Sequence, residues 1–292
     1  MSDPTLPLTI IGGYLGAGKT TLVNHLLRNA HGQRLAVLVN EFGSLPIDAD
    51  LIEAQDGDLT VLAGGCVCCS YGDDLMFALT QIRKLDPAPD HVLLEASGVA
   101  LPGAIGSAIG LFGDDIRVHG IVILSDAETL PGHLNDTYIA DTISRQLDSA
   151  DVVILTKTDL ASSDQMRRSH DSVHEHAPLA GVIESRGQDV DSELILSHIE
   201  ALKKPGQSRE GHNIRLVTNV LAMSEPVDPE AFAQKLAADP DILRAKGHMI
   251  SARNQQPVTL QLVGRRYTVT GAPSTAKPGV IVIRKDHSRA LA

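Results

Sequence analysis

The run Gly13-Tyr14-Leu15-Gly16-Ala17-Gly18-Lys19-Thr20 holds glycines, a lysine and a hydroxyl at the spacing of a phosphate-binding P-loop. Leu8-Thr9-Ile10-Ile11 leads into it with the pattern of a strand, and Thr21-Leu22-Val23-Asn24-His25-Leu26-Leu27 leaves it with the pattern of a helix. In that setting the backbone N–H groups of Gly13, Gly16, Ala17 and Gly18 point inward at phosphate oxygens, and the helix N-terminus at Thr21 adds its partial positive charge. The Lys19 ammonium is expected to bridge the β- and γ-phosphates, and the Thr20 hydroxyl to ligate the Mg²⁺ that a triphosphate carries. The chemistry implied is binding of a nucleoside triphosphate.

Two further segments bear on base and metal. Thr156-Lys157-Thr158-Asp159 follows an apolar run, where a P-loop GTPase keeps its base-reading tetrad. The Asp159 carboxylate can accept from guanine N1–H and the exocyclic amine, groups that adenine does not present, so the wrong base leaves a charged acceptor unpaired. Lys157 is expected along the base plane. Thr156 stands where the usual residue is Asn and keeps a hydroxyl but no amide, which weakens the expected guanine preference. Glu95-Ala96-Ser97-Gly98 closes the run Val92-Leu93-Leu94. A carboxylate there is placed to hold Mg²⁺ through water, and Gly98 to offer a backbone N–H near the γ-phosphate. Residue 99 is valine, so no glutamine follows to orient water, and slow hydrolysis is expected.

Gly64-Gly65-Cys66-Val67-Cys68-Cys69 contains all three cysteines of the chain. Adjacent Cys68 and Cys69 point to opposite faces when extended, so convergence of the three sulfurs on one ion needs the turn that the glycines permit. Thiolates select zinc, Cu(I) and similar soft ions over Mg²⁺ or Ca²⁺. Three of them leave a tetrahedral ion one ligand short, which suits an ion that is passed on. Two other readings stay open: buried structural cysteines, and a redox pair from the C-x-x-C spacing of Cys66 and Cys69. His170 and His174, four residues apart on one helix face, and His176 nearby form a weaker candidate metal group, and solvated surface histidines are the competing reading.

These groups must be positioned by the ends of buried strands. Val/Ile/Leu runs recur at Leu35–Val39, Leu59–Leu62, His91–Leu94, Val118–Leu124, Val152–Leu155 and Gly181–Ile183, with helical patterns at Thr21–Arg28, Asp74–Leu85, Asp136–Leu147 and Asp191–Leu202. The alternation predicts an α/β fold: a P-loop NTPase domain with a doubly wound, mostly parallel sheet. Lys203 to Gly211 loses apolar periodicity and reads as a linker. The expected domains are residues 1–204 and a smaller α+β domain at 212–292, with a strand near Ile214–Leu221, a helix after Asp228-Pro229 and three more strands ending at Val280–Ile283. Lys+Arg 25 against Asp+Glu 36 gives a net charge of −11, which disfavours nucleic acid as a partner. No membrane-spanning run is visible and the cysteine number is odd, so a soluble cytoplasmic protein is expected.

On these motifs, together with Asn40-Glu41-Phe42-Gly43, Ile47-Asp48 and the run Leu243-Arg244-Ala245-Lys246-Gly247, the chain resembles the CobW-like family of P-loop GTPases, relatives of the nickel-enzyme maturation proteins UreG and HypB. The resemblance spans essentially the whole chain. It implies a GTP-dependent metallochaperone in which GTP orders the loop around Asn40 to Asp48 and assembles the thiolates of Cys66, Cys68 and Cys69 around Zn²⁺ or a similar divalent transition metal. Hydrolysis to GDP then releases the ion to a client metalloprotein. The resemblance also places Asp48 in the Mg²⁺ network with Thr20 and Glu95, and Glu41 between the transferable metal and the γ-phosphate. Ser44 stands where many members carry an acid, and the long His-rich stretch of many members is missing. Two alternatives remain beside this reading: a nucleotide-modulated metal buffer or sensor without significant turnover, and a small-molecule kinase. The metal, the client and the oligomeric state are left open.

Overall fold

The computed structural model describes residues 5–40, 59–64, 73–111, 115–187, 189–196, 215–223, 225–274, 276 and 278–286. Its first half alternates strand and helix: β1 (Leu6–Gly13), α1 (Lys19–Arg28), β2 (Leu35–Asn40), β3 (Leu59–Gly64), α2 (Asp73–Arg83), β4 (His91–Glu95), α3 (Pro102–Gly110), β5 (Ile116–Asp126), α4 (Leu130–Leu134), α5 (Ala140–Asp148), β6 (Val152–Thr156), α6 (Ser163–His176), β7 (Gly181–Glu184) and α7 (Glu193–Leu196). Among the described residues the seven strands form one sheet in the order β3-β2-β4-β1-β5-β6-β7. Every neighbouring pair in it is parallel.

The unbroken apolar runs follow from burial on both faces. Leu8 and Ile10 of β1 point into one layer with Ile105 and Ile109 of α3 and Ile143 and Leu147 of α5. Ile11 points into the other with Leu22, Val23 and Leu26 of α1. Each such side chain taken fully out of water contributes about 1.5–3 kcal/mol, and the alternation of faces fixes the register of β1 between β4 and β5. The P-loop therefore leaves the carboxyl end of a central strand, the usual ligand-binding edge of an open α/β sheet.

The second half holds β8 (Arg215–Leu221), α8 (Pro229–Ala237), β9 (Ile242–Ile250), β10 (Pro257–Val263), β11 (Arg266–Gly271) and β12 (Gly279–Asp286). Its sheet runs β11-β10-β9-β12-β8, all antiparallel, with Ala233 and Leu236 of α8 in the core of one face. The two sheets meet where Leu243, Val263 and Ile283 join the α1-side core of the first sheet. Beside that contact the fully buried Asp151 accepts from the Ile121 N–H at 2.8 Å and from Arg266 Nε at 2.7 Å.

Four strands follow α8 where the sequence predicts three. The two-residue turn between Val263 and Arg266 divides one β-rich run into a hairpin. The helix expected over 136–147 begins at Ala140, because Asp136 Oδ1 accepts from Tyr138 N–H and makes a turn instead. Of the helix expected over 191–202 the described part is Glu193–Leu196, and the expected linker lies outside the described residues. Helices α3 and α4 escape the sequence reading, since the Pro-Gly start and small residues of Pro102–Gly110 carry little helical signal. No helix among the described residues is long and apolar enough to cross a membrane.

Candidate functional site

The P-loop turns on glycines in left-handed conformations: φ is 130° at Gly13, 76° at Gly16 and 96° at Gly18. Gly18 is the N-cap of α1 and offers no side chain to its first turn, which also lacks an acidic residue. An anion is the natural partner of N–H groups left uncapped in this way. Lys19 is 9% exposed, and its Nζ donates to the Tyr14 carbonyl at 3.2 Å, across the mouth of the loop.

Thr20 Oγ1 donates to Glu95 Oε1 at 2.7 Å. The pair is produced by sheet register, because Ile11 of β1 lies beside Glu95 at the end of β4, and Ala96 N–H donates to the Ile11 carbonyl at 2.9 Å. A hydroxyl and a carboxylate converging at the head of the phosphate loop form an all-oxygen donor set, the kind that suits a hard cation such as Mg²⁺. Gly98 follows in the turn after Glu95 and packs against Leu15 of the P-loop.

The segment expected to read the base starts at the end of β6. Thr156 is 7% exposed, and its Oγ1 donates to the Ala17 carbonyl at 3.0 Å, so the hydroxyl ties this loop to the P-loop. Lys157 takes a left-handed φ of 55° and directs its ammonium to Asp126 Oδ2 at 2.7 Å. Asp159 is exposed. Two neighbouring groups do not stand out in the sequence. Asp126 ends β5 and anchors Lys157. The turn after β7 has Asp189 Oδ1 accepting from Ser185 Oγ at 2.6 Å and from Arg186 N–H at 2.9 Å, while Thr158 Oγ1 donates to the Ser185 carbonyl at 3.2 Å. Their signal was the acid at a strand end and the Ser-x-x-x-Asp spacing.

Glu41, Asp48, Cys66, Cys68 and Cys69 lie outside the described residues. The strands that lead to them are described: Asn40 ends β2 beside Gly64 at the end of β3. Both ends sit on the sheet edge that carries Glu95, and β3 lies two strands from β4, a separation of about 10 Å at the usual strand spacing. The chain thus enters the Glu41 and Cys66 segments side by side, on the phosphate side of the sheet.

Two of the three histidines of α6 take separate partners: His170 Nε2 meets Glu184 Oε1 at 2.8 Å and His176 Nδ1 meets Ser144 Oγ at 3.0 Å. Among the described residues no group of three or more His, Cys, Asp or Glu side chains is assembled as a metal site.

Comparison with known proteins adds family membership to this geometry. Residues 7–184 match the family model described as CobW/HypB/UreG, nucleotide-binding domain, and residues 216–290 match that of the cobalamin synthesis protein cobW C-terminal domain. A Sinorhizobium protein named zinc chaperone CobW is 28% identical over 306 residues, covering 89% of this chain and 86% of that protein. The Escherichia coli protein named zinc chaperone YjiA is 32% identical over 202 residues, 66% of this chain and 61% of that one. The zinc-regulated GTPase metalloprotein activator 1 of Schizosaccharomyces pombe is 34% identical over 192 residues, 63% of this chain, which spans 46% of that longer relative. The crystal structure of Zn(II)-bound YjiA GTPase shares the fold, with 23% identity, a TM-score of 0.50, and coverage of 97% of this chain and 94% of that one.

Proposed function

Because the chain belongs to the CobW/HypB/UreG nucleotide-binding family, we propose that it is a GTPase metallochaperone: it binds GTP at the P-loop, hydrolyses it, and couples the change to holding and releasing a soft divalent metal, with zinc the favoured ion. The observation that carries the reading is the Thr20–Glu95 pair at 2.7 Å beside the uncapped turn at Gly18 and the buried Lys19. That arrangement has the parts a bound triphosphate needs: inward N–H groups, a cation and a hard-metal donor pair. Mg²⁺ bound by Thr20 and Glu95, with Asp48 in the same network, supplies neutralisation of the charge on the phosphates.

The remaining roles are carried by this chain's own groups. Lys19 leaves the Tyr14 carbonyl for the β- and γ-phosphates. Gly98 offers its N–H to the γ-phosphate from the turn after Glu95. Asp159 reads guanine, with Lys157 held by Asp126 and the loop held to Ala17 by Thr156. Val99 is 43% exposed and has no group to orient water, so turnover is slow.

The metal is cargo, taken by the thiolates of Cys66, Cys68 and Cys69 with Glu41 between them and the γ-phosphate. Support for coupling comes from the register of β2 and β3, which starts both segments side by side on the edge that ends in Glu95. A client metalloprotein receives the ion. The test is GTP hydrolysis with and without Mg²⁺ in the wild-type chain and in Lys19→Ala. Mg²⁺-dependent turnover that Lys19→Ala abolishes is expected. Unchanged nucleotide affinity and turnover in Lys19→Ala would remove the assignment of the site. Metal binding that responds to nucleotide in a chain without measurable turnover would favour the buffer or sensor reading instead.

A further inference from the structure

Gln146 lies on α5, 48 residues beyond Gly98, and is 1% exposed. Its Nε2 donates to the Gly98 carbonyl at 3.1 Å and to the Ala100 carbonyl at 2.8 Å. One amide nitrogen has two hydrogens, so both carbonyls are satisfied by a single side chain. The segment it holds is closed by a bond from Ala100 N–H to the Ser97 carbonyl at 3.0 Å. On the other side the P-loop presses against it: a Cβ placed on Gly98 would come within 2.5 Å of Leu15 Cδ2 and 2.9 Å of the Leu15 backbone nitrogen. Only glycine fits that approach.

The turn after Glu95 is therefore gripped between the P-loop and α5. Its own side chains do little to hold it, since residue 98 has none and Val99 is 43% exposed. Gln146 and Leu15 also line one small cavity together with Tyr14, Asp126 and His133. Without the amide, the Gly98 and Ala100 carbonyls would lose the donor they share, and the turn would shift to find another.

We propose that Gln146 is a positioning residue for the γ-phosphate: by fixing the Gly98 and Ala100 carbonyls it sets where the Gly98 N–H is presented, and through that the rate of hydrolysis and the preference for triphosphate over diphosphate. The inference rests on the GTPase reading of the same site. A diphosphate has nothing at the γ position, so its affinity is independent of the clamp. A γ-phosphate is held correctly only while both carbonyls are. Displacement of a reacting group by about 1 Å costs on the order of 100-fold in rate.

The test uses the full chain with Mg²⁺ and compares the wild type with Gln146→Met and Gln146→Glu, which are close in size and cannot donate both bonds. We expect kcat to fall about 10- to 100-fold, KM for GTP to rise only as far as affinity for the GTP analogue falls, and the ratio of GTP-analogue to GDP affinity to fall toward one while GDP affinity is retained. A folded variant with wild-type kcat and wild-type nucleotide ratio overturns the inference. So does an equal loss of GDP and analogue affinity, which would make Gln146 a general support of the P-loop. Should neither variant fold, the side-chain amide NMR signals of Gln146 in the wild type decide: they shift with the GTP analogue and not with GDP if the clamp senses the γ-phosphate, and identical signals in both complexes refute it. A wild-type chain that binds neither nucleotide overturns the GTPase reading itself. Normal wild-type turnover with unaltered Gln146→Met overturns this inference alone.

Discussion

Thr156→Val replaces one hydroxyl by a methyl at nearly constant volume, at a position 7% exposed. What is lost is the bond from Oγ1 to the Ala17 carbonyl at 3.0 Å; the longer approach to the Ser125 carbonyl, 3.4 Å, competes for the same proton and adds little. A neutral intramolecular hydrogen bond contributes a net of about 0.5–1.5 kcal/mol. At about 1.4 kcal/mol per factor of ten, full expression of that loss in nucleotide binding lowers affinity by about 2- to 12-fold. The hydroxyl holds the base loop onto the P-loop and is already used on Ala17, so the factor is expected to be the same for GTP and ATP. Competition of each nucleotide against a fluorescent analogue, in wild type and variant, measures both affinities. A fall for GTP with ATP unchanged would refute the reasoning, because it would make Thr156 a reader of the base.

The same competition applied to Asp159→Ala is expected to remove most of the guanine preference, since its carboxylate matches groups adenine lacks; an unchanged GTP to ATP ratio would show that another group reads the base. Asp151 bears on stability at the junction of the two sheets. Burial is the main influence on its carboxyl and raises its pKa above the ordinary 3.8, with Arg266 opposing. The folded state then holds more protons than the unfolded one between those two values. The stability this adds is fully present below the unfolded value and is lost as pH rises through the folded one. Urea unfolding between pH 3.8 and neutrality should show that slope in the wild type and its disappearance in Asp151→Asn; an equal slope in both would exclude Asp151 as its source.

What is legible in the sequence shares one property: on the proposed reading, the residue type answers to a ligand. Gly13, Gly16 and Gly18 must turn left-handed, Lys19 must be a cation, and Thr20 and Glu95 must offer oxygen, so each announces itself by type and spacing. The parallel sheet was equally visible, because strands such as Val152–Thr156 are apolar on both faces. Gln146, Asp126 and the Ser185–Asp189 turn were not. Their partners are backbone carbonyls, a lysine and a neighbouring loop, which come together only when α5, β5 and β7 pack. A glutamine in an amphipathic helix reads as a surface residue until the fold buries it at 1% exposure. The extra strand after α8 was hidden for a local reason, a turn of two residues within a β-rich run. By sequence Thr156 differs from asparagine by the amide it lacks, whereas in the fold its hydroxyl has a partner in Ala17.

If nucleotide state governs the hold on metal, a Zn²⁺ titration against a competing chelator, run with a GTP analogue, with GDP and without nucleotide, reads that coupling. Metal affinity is expected to be higher with the analogue than with GDP by roughly 5- to 150-fold, the span of a coupling of about 1–3 kcal/mol. Zn²⁺ must raise affinity for the analogue over GDP by the same factor, since linkage is reciprocal. Replacing Cys66, Cys68 and Cys69 by serine should remove the tight site with nucleotide binding retained. Equal Zn²⁺ affinity with either nucleotide, or a triple variant that binds as tightly as the wild type, would contradict a GTP-gated chaperone.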